Sequence, residues 1–309
     1  MVASLSGLGH TARLARLARK FQQLGHQVQL VTGEKQASIL GQGLSMPILK
    51  IDCLLPNWID GPHSSAPTEK MLSESTRYAI LQIEKADSVL SDNVAWPIDF
   101  NPKTVIYSHF LWVDYYFATQ AKTLEGDLTR LSRLACWMRP RDFRFESQFE
   151  HLLTTVDTKL PRFQAFHAVS SRPKAREAWL AFGKTGQNIP RIEGLELGGL
   201  RVIHRETFHL TGVSELPMLI LGRPGMGSIG ESLSAGIPFI PFFQGRDPEL
   251  VSNGRHLFRM GVSPVERYES SRPITDNQLF GATEASLHYS RIKMVDEMIW
   301  AQNIIDRLN

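Results

Sequence analysis

The chain has 309 residues, 42% hydrophobic and 21% charged, which predicts two domains of about 150 residues each and excludes a disordered chain. The net charge of +3 at pH 7 is too small for a dedicated nucleic-acid-binding protein. The two cysteines, Cys53 and Cys136, exclude a disulfide scaffold and a zinc cluster. No apolar run approaches the roughly 20 residues of a membrane helix, and no signal peptide is recognisable. We therefore expect a soluble, cytoplasmic protein.

The first 33 residues have the pattern of a βαβ unit. A short apolar run at residues 2–5 leads into a turn that contains Gly7 and Gly9. Apolar side chains then recur at helical spacing up to Gly25, and a second strand at residues 28–31 is closed by Gly33. Strands joined through a helix are parallel, so this pattern predicts a parallel sheet covered by helices.

Short apolar strands and helical stretches alternate along the rest of the chain. We predict strands at residues 48–51, 104–107, 163–169, 200–204, 218–221 and 237–242. We predict helices over residues 68–90, 121–153 with a break at Pro140, 173–182, 225–235 and 286–308. The strand at 163 begins a second unit, which divides the chain into domains of residues 1–160 and 161–309. The C-terminal helix is expected to close the second domain.

The first candidate site is the turn of Gly7 and Gly9 with the adjacent His10. A glycine turn at the carboxyl end of a strand exposes backbone N–H groups, and the following helix N-terminus favours negative charge. Ala12 replaces the third glycine of a dinucleotide-binding fingerprint, so that type of site is not predicted. His10 is either a functional group aimed into a crevice or a simple cap of the helix.

The second candidate site is the glycine turn after the strand at 218–221, with Arg223, Gly225, Gly227, Ser228 and Glu231. Ser228 falls in the first helical turn, where its hydroxyl suits a phosphate oxygen, and Glu231 lies about one turn further on, within reach of a ribose diol. No Gly-Lys-Ser/Thr follows, which excludes a Walker loop. The alternative for Glu231 is a first-turn acid that stabilises the helix dipole.

The third candidate site is the polar loop after the strand at 237–242, with Gln244, Asp247, Glu249 and Asn253. Carboxylate and amide oxygens at such a place suit a ligand rich in hydroxyl groups. The alternative for Asp247 is an N-cap, because Pro248 follows it at the first helical position. Both interpretations of Asp247 are compatible with each other.

Two segments, residues 5–32 and 218–261, carry residues that occur together in one known family. These residues are Gly9, His10, Gly25, His26, Val28, Val31 and Thr32 in the first segment, and Pro224, Gly225, Gly227, Ser228, Glu231, Ala235, Gly236, Ile237, Pro238, Asp247 and Asn253 in the second. The ordered pair resembles the GT-B-type inverting glycosyltransferases, which include the UDP-glycosyltransferases and the N-acetylglucosaminyltransferase of the peptidoglycan lipid precursor. The resemblance implies an α/β fold of two facing Rossmann-like domains with parallel sheets and a ligand crevice between them.

The resemblance also implies roles for individual residues. The turn of Gly225 and Gly227 with Ser228 would contact the diphosphate of a nucleotide-sugar donor, usually linked to UDP, and Glu231 would bind the ribose. Arg223 belongs to the same turn, and Ser170 stands where a glycine pair often contacts phosphate. The loop with Gln244, Asp247 and Glu249 would contact the sugar, although Pro248 and Glu249 replace amides common in the family. His10 would be the general base, and no obligatory cofactor or metal is implied.

We therefore predict a glycosyltransferase that moves a sugar from a nucleotide-sugar donor to an acceptor hydroxyl with inversion. Two alternatives remain open: a nucleotide-sugar hydrolase or epimerase on the same fold, and a non-catalytic donor-binding partner subunit. The acceptor is open too. A lipid-linked or membrane-proximal acceptor would fit a basic and apolar surface, for which the candidates are Arg13, Arg16, Lys20, Arg133, Arg139 and Arg141 with Leu131, Leu134, Trp137 and Met138. The alternative is a solvated basic helix face with Trp137 in the core.

Overall fold

The structure is a computed structural model that describes most of the chain in two compact units. The described residues are 1–3, 8–40, 45–51, 72–108, 111, 113–114, 125–140, 149–153, 155–160, 174–181, 199–205, 210, 213–245, 247–269, 274–291 and 297–308. Unit 1 comprises Met1–Arg162 together with Val295–Asn309, and unit 2 comprises Phe163–Met294.

Unit 1 is built on a parallel sheet. Its strands are β1 (Val2–Ala3), β2 (Leu30–Gly33), β3 (Ile48–Ile51), β4 (Val89–Asp92), β5 (Thr104–Tyr107), β6 (Cys136–Pro140) and β7 (Val156–Leu160). The strand order is β3-β2-β1-β4-β5-β6-β7. β2, β4 and β5 are buried along their whole length, as expected for parallel strands covered by helices on both faces.

Five α-helices accompany this sheet in the described part of unit 1: α1 (Leu8–Gln23), α2 (Glu34–Leu40), α3 (Glu74–Lys85), α4 (Glu125–Ser132) and the C-terminal α8 (Glu297–Leu308). The apolar side chains of α1 recur every three or four residues, which places Leu14, Leu17 and Phe21 on one buried face. α1 ends just before Gly25, whose φ of +89° favours glycine over any residue with a Cβ.

Unit 2 is a smaller parallel sheet with its own helices. The strands are β8 (Lys174–Ala181), β9 (Arg201–Arg205), β10 (Leu216–Gly222) and β11 (Phe239–Pro241), and the helices are α5 (Met226–Ser234), α6 (Pro248–Arg259) and α7 (Asp276–Arg291). The strand order is β11-β10-β8-β9. Residues from β8, β10 and β11, among them Ala178, Leu219 and Ile240, form the apolar core of this sheet.

Most predicted strands agree with the structure, whereas three predicted helices do not. The strand predicted at 163–169 lies outside the described residues. Residues 173–182 contain strong helix formers, but Lys174–Ala181 is a strand that pairs with β9 and β10. Pairing on both sides overrides local propensity here. The same reason applies to Cys136–Pro140, which lies within the helix predicted over residues 121–153, and to Val89–Asp92, of which Val89 and Leu90 end the helix predicted over 68–90. Both segments are interior strands of the sheet, β6 and β4.

The C-terminal segment differs from the prediction in a second way. The single helix predicted over residues 286–308 is two helices, α7 and α8. α7 belongs to unit 2, but α8 belongs to unit 1 and packs against α1 and β7. Its apolar face buries Trp300, Ile304 and Ile305. The prediction that the last helix closes the second domain is therefore wrong. An amphipathic helix packs where it can bury its apolar face, and α8 buries that face in unit 1.

Candidate active site

The first site lies where the strand order of unit 1 reverses. β1 lies between β2 and β4, so the chain leaves β1 towards one side of the sheet and continues on the other side from β4. Ala3, the last residue of β1, lies opposite Asp92, the last residue of β4. In open α/β sheets ligands bind outside the carboxyl ends of the strands at such a switch point. His10 is in the first turn of α1, which follows β1.

His10 and Asp92 form a hydrogen-bonded pair at this point, with 2.9 Å between His10 Nδ1 and Asp92 Oδ1. The Asp92 side chain is fully buried, while 17% of the His10 side chain is exposed. Burial alone raises the pKa of Asp92, but the charges of Arg13 and His10 and their hydrogen bonds outweigh it and lower the pKa from 3.8 to about 2. An ionised carboxylate only accepts hydrogen bonds, so the 2.9 Å contact assigns a hydrogen to Nδ1 and leaves Nε2 as the ring nitrogen that takes up a proton. Arg13 Nη2 also lies 3.2 Å from Nδ1, but because arginine only donates, that longer contact is not a hydrogen bond in this tautomer.

Arg13 is the second partner of Asp92. Its Nε donates to Oδ2 at 2.8 Å, and its Nη2 lies 2.6 Å from Oδ1 and 2.7 Å from Oδ2. The guanidinium also lies 5.4 Å from the ring centre of Tyr107 at the end of β5. A buried carboxylate needs such compensation, because an unpaired buried charge is strongly unfavourable. Asp92 is thus held by one cation and one imidazole.

The second site lies where the strand order of unit 2 reverses, between β8 and β10. Gly222 ends β10 opposite Ala181 at the end of β8. A Cβ at position 222 would lie 2.1 Å from the carbonyl oxygen of Ala181, so the close approach of these two strands requires glycine. The loop from Gly222 to the start of α5 leaves the sheet at this point.

Gly225 and Gly227 in this loop and in the first turn of α5 have no such packing reason. A Cβ at either position would meet no described atom within 4 Å, and Gly225 has a φ of −77°, which any residue adopts. Gly225 is the N-cap of α5 and offers no side-chain cap. The backbone N–H groups of the first turn have no intrahelical acceptors, which makes this end of α5 suited to an anion. Ser228 is the third residue of the helix and is partly exposed.

Glu231 and Asn253 are two buried polar side chains on the helices beside this loop. Glu231 is the sixth residue of α5, so the alternative of a first-turn acid is wrong. Its side chain is 3% exposed, and Oε2 accepts a hydrogen bond from the Leu210 N–H at 2.9 Å. Asn253 on α6 is buried and donates from Nδ2 to the carbonyl oxygen of Pro224 at 2.9 Å. The Asn253 bond fixes the glycine loop to α6, and the Glu231 bond fixes Leu210 to α5.

The third predicted site starts α6. Asp247 is the N-cap of this helix, and its Oδ1 accepts from the N–H groups of Glu249 at 3.0 Å and Leu250 at 3.4 Å. The predicted capping role is confirmed. Oδ2 of the same carboxyl lies 3.6 Å from Arg223 Nη2, which brings the second and third predicted sites together. Gln244 is exposed and Glu249 is half-buried, and both stand beside this loop.

Comparison with known proteins identifies the fold. No model of a known protein family and no curated protein sequence matches the chain. Solved structures match over its full length. The spinosyn forosaminyltransferase SpnP is 13% identical with a TM-score of 0.60, covering 99% of this chain and 98% of that one. The kitacinnamycin glycotransferase is 14% identical with a TM-score of 0.58, covering 100% and 98%. MurG of Acinetobacter baumannii is 18% identical with a TM-score of 0.56, covering 100% and 97%.

The chain has the GT-B glycosyltransferase fold. This confirms the resemblance inferred from the two segments and the α/β class with two parallel-sheet units. The predicted roles of the site residues stay predictions, because similarity at these identities concerns the fold. Two of these residues, Gly7 and Ser170, lie outside the described residues.

Asp92 is a residue of this site to which the sequence alone assigns no role. It ends the run Val89-Leu90-Ser91-Asp92, and a polar residue at the carboxyl end of a buried strand lies where ligands bind in open α/β sheets. The helix predicted over residues 68–90 takes in Val89 and Leu90, so the strand that ends at Asp92 is not recognised from the sequence. Asn93, which follows it, has a φ of +58°, a left-handed conformation that ends the strand abruptly.

The basic and apolar membrane surface suggested by the sequence does not form as predicted. Leu131, Leu134, Trp137 and Met138 are buried in the core of unit 1. Arg13 pairs with Asp92, and Arg133 pairs with Asp99 at 3.1 Å. No helix among the described residues is long and apolar enough to span a membrane. In the same part of the chain, no group of three or more His, Cys, Asp or Glu side chains could hold a metal ion.

Proposed function

We propose that the protein transfers a sugar from a nucleoside-diphosphate donor to an acceptor hydroxyl with inversion. The observation that carries this proposal is the His10–Asp92 pair at the switch point of unit 1 in a chain with the GT-B fold. Asp92 holds the Nδ1–H of His10, and Nε2 is then the base that removes the proton of the acceptor hydroxyl. If His10 were only a cap of the helix, it would not need a buried carboxylate as its partner.

The donor side of the proposal rests on the loop before α5. Open space around Gly225 and Gly227 lets a diphosphate approach the backbone N–H groups, and the hydroxyl of Ser228 adds a donor. A solved neighbour, the spinosyn rhamnosyltransferase SpnG with 14% identity and a TM-score of 0.54, is complexed with thymidine diphosphate. We therefore expect a UDP- or TDP-sugar, with Glu231 at the ribose and Gln244, Asp247 and Glu249 at the sugar.

The reaction exchanges one bond at the anomeric carbon for another and moves one proton. The acceptor oxygen attacks the anomeric carbon as its proton passes to His10 Nε2, and the bond from that carbon to the diphosphate oxygen breaks. The leaving diphosphate gains negative charge, which the N-terminal end of α5 and Ser228 stabilise. Attack opposite the leaving group inverts the anomeric configuration. In this scheme His10 takes the proton of the acceptor, and the leaving diphosphate keeps the electron pair of the broken bond.

A panel of UDP- and TDP-sugars tests the proposal, first by calorimetric binding and then by mass spectrometry with hydroxylated acceptors. His10→Ala should lower turnover roughly 10²–10⁴-fold while donor affinity stays unchanged. Glu231→Gln should weaken donor binding by about 1–3 kcal/mol if the carboxylate binds the ribose. Release of free sugar or of an epimerised donor without acceptor would favour the hydrolase or epimerase alternative. Donor binding without any turnover would favour the non-catalytic partner.

A further inference from the structure

The C-terminal helix reaches the His10–Asp92 pair through two aromatic side chains. The rings of Trp300 on α8 and Tyr107 are in T-shaped contact, with 5.4 Å between ring centres and an interplanar angle of 79°. Tyr107 ends β5 directly opposite Asp92 on β4. The Tyr107 ring also contacts the guanidinium of Arg13, which bonds to both oxygens of Asp92.

In the series Trp300, Tyr107, Arg13 and Asp92, each side chain restricts the conformation of the next one. An arginine side chain has several rotatable bonds, and it loses rotamer freedom when it is fixed on a carboxylate. A ring beside the guanidinium limits where it can lie and adds a cation–π attraction. The Tyr107 side chain is fully buried, and burial raises its pKa above the usual value, so the phenol stays neutral. Trp300, on α8, is 7% exposed and packs against the Tyr107 ring.

We propose that α8 positions the base of the reaction: Trp300 holds Tyr107, Tyr107 holds Arg13, and Arg13 fixes the carboxylate that orients His10. Trp300, Tyr107 and Arg13 are positioning residues in this scheme. The inference rests on the proposed function for its catalytic consequence, but the arrangement of His10 and Asp92 that it predicts exists without substrate. It also explains why the last twelve residues of the described chain belong to unit 1.

The scheme has an electrostatic consequence. The charged and titratable groups that act on Asp92 are Arg13 and His10, and those that act on Tyr107 are Arg13 and Asp92. Arg13 neutralises the same carboxylate that would stabilise the imidazolium form of His10, and it repels that form directly. We therefore expect loss or displacement of the guanidinium to favour the protonated form of His10.

The experiment follows the NMR chemical shifts of the His10 imidazole as a function of pH. The His10 signal is assigned as the one that is missing from the spectrum of His10→Gln. Trp300→Met keeps an apolar side chain but removes the ring, and Arg13→Gln sets the full effect of losing the cation. We expect the midpoint of the His10 titration curve to move to higher pH in both variants, by roughly one pH unit or less in Trp300→Met. Turnover at slightly acidic pH should then fall up to about tenfold. Trp300→Phe should restore the wild-type titration.

A matched control is Ile304→Ala, which removes a fully buried side chain from the same helix. It should lower the melting temperature at least as much as Trp300→Met and leave the His10 midpoint unchanged. If Trp300→Met fails to fold, Tyr107→Leu replaces it with the same expectation. An unchanged midpoint in the folded variants, or the same shift in Ile304→Ala, overturns the positioning role. Absence of sugar transfer by the wild type overturns the proposed function alone, because the titration needs no substrate.

Discussion

The two units place different kinds of groups at equivalent points of their sheets. At the switch point of unit 1, the carboxyl end of β4 carries Asp92, and its partners His10 and Arg13 bond to it within 3 Å. At the switch point of unit 2, the chain leaves β10 through a loop in which Gly225 and Gly227 have open space around them. The first site is made of interlocked side chains, and the second is made of exposed backbone.

This difference matches the different chemistry that we propose for the two units. A general base needs one ring nitrogen in one orientation, so its neighbours must be fixed and compensated. A diphosphate carries its charge on several oxygens, and a helix N-terminus with no side chains in the way lets those oxygens approach many N–H groups. Substitutions that remove side chains should therefore damage the first site most, and substitutions that add atoms should damage the second.

The largest expected effect follows from Asp92→Asn. The amide cannot hold the Nδ1–H tautomer of His10 as the carboxylate does, so turnover should fall roughly 10²–10⁴-fold. Arg13 would keep its charge in a site where it is 10% exposed, and stability should fall by about 3 kcal/mol. Steady-state kinetics and urea unfolding measure the two effects.

The matched control is Asp99→Asn in the same unit. Asp99 bonds to Arg130 and Arg133 on and beside α4, away from His10. This variant should lose stability and keep its turnover. Equal losses of turnover in the two variants would show that Asp92 acts only through the stability of unit 1.

The glycine loop gives the opposite test. Gly227→Ala adds a Cβ that meets no described atom, and alanine inside a helix is more stable than glycine by about 0.5–1 kcal/mol. We expect this variant to melt at a slightly higher temperature and to bind the donor about 10- to 100-fold more weakly, a loss of about 1.4–2.7 kcal/mol. Thermal unfolding and calorimetry measure the two changes on one sample.

Gly222→Ala is the control for this prediction. Its Cβ would collide with the Ala181 carbonyl oxygen, so it should destabilise unit 2 whatever its effect on the donor. If Gly227→Ala is more stable and binds the donor normally, the loop does not contact the diphosphate.

The third expected effect is a dependence of stability on pH. The pKa of Asp92 is about 2 in the folded protein and 3.8 as its model value, so folding favours the ionised form. The contribution, about 2 kcal/mol, is fully present above pH 4 and is lost as the pH falls from about 4 to about 2. The stability difference between wild type and Asp92→Asn should therefore shrink over that interval. A difference that stays constant down to pH 2 would contradict the depressed pKa.

The sequence predicted the second site better than the first. Glycine, proline and N-cap residues act locally, so Gly225, Asp247 and Pro248 could be placed on a helix start from their order alone. The His10 pair depends on a partner 82 positions away, and that partner lies in a stretch, residues 91–103, for which the sequence predicts no element. β8 was missed for a similar reason, because Ala178 and Leu180 favour helix locally and become strand residues through their neighbours. Long-range pairing is not encoded in any short window.

The smallest expected effect separates the two roles of Asp247. Asp247→Ala removes the cap of α6 and should cost about 1 kcal/mol of stability. Asp247→Ser keeps a side-chain oxygen for the N–H groups of Glu249 and Leu250 but lacks the second oxygen that faces Arg223. We expect the serine variant to recover most of the stability lost in the alanine variant. If Asp247 also contacts the sugar, both variants should show the same reduced turnover, because a cap oxygen bound to the helix cannot replace the missing one. Full turnover in the serine variant would leave Asp247 as a cap alone.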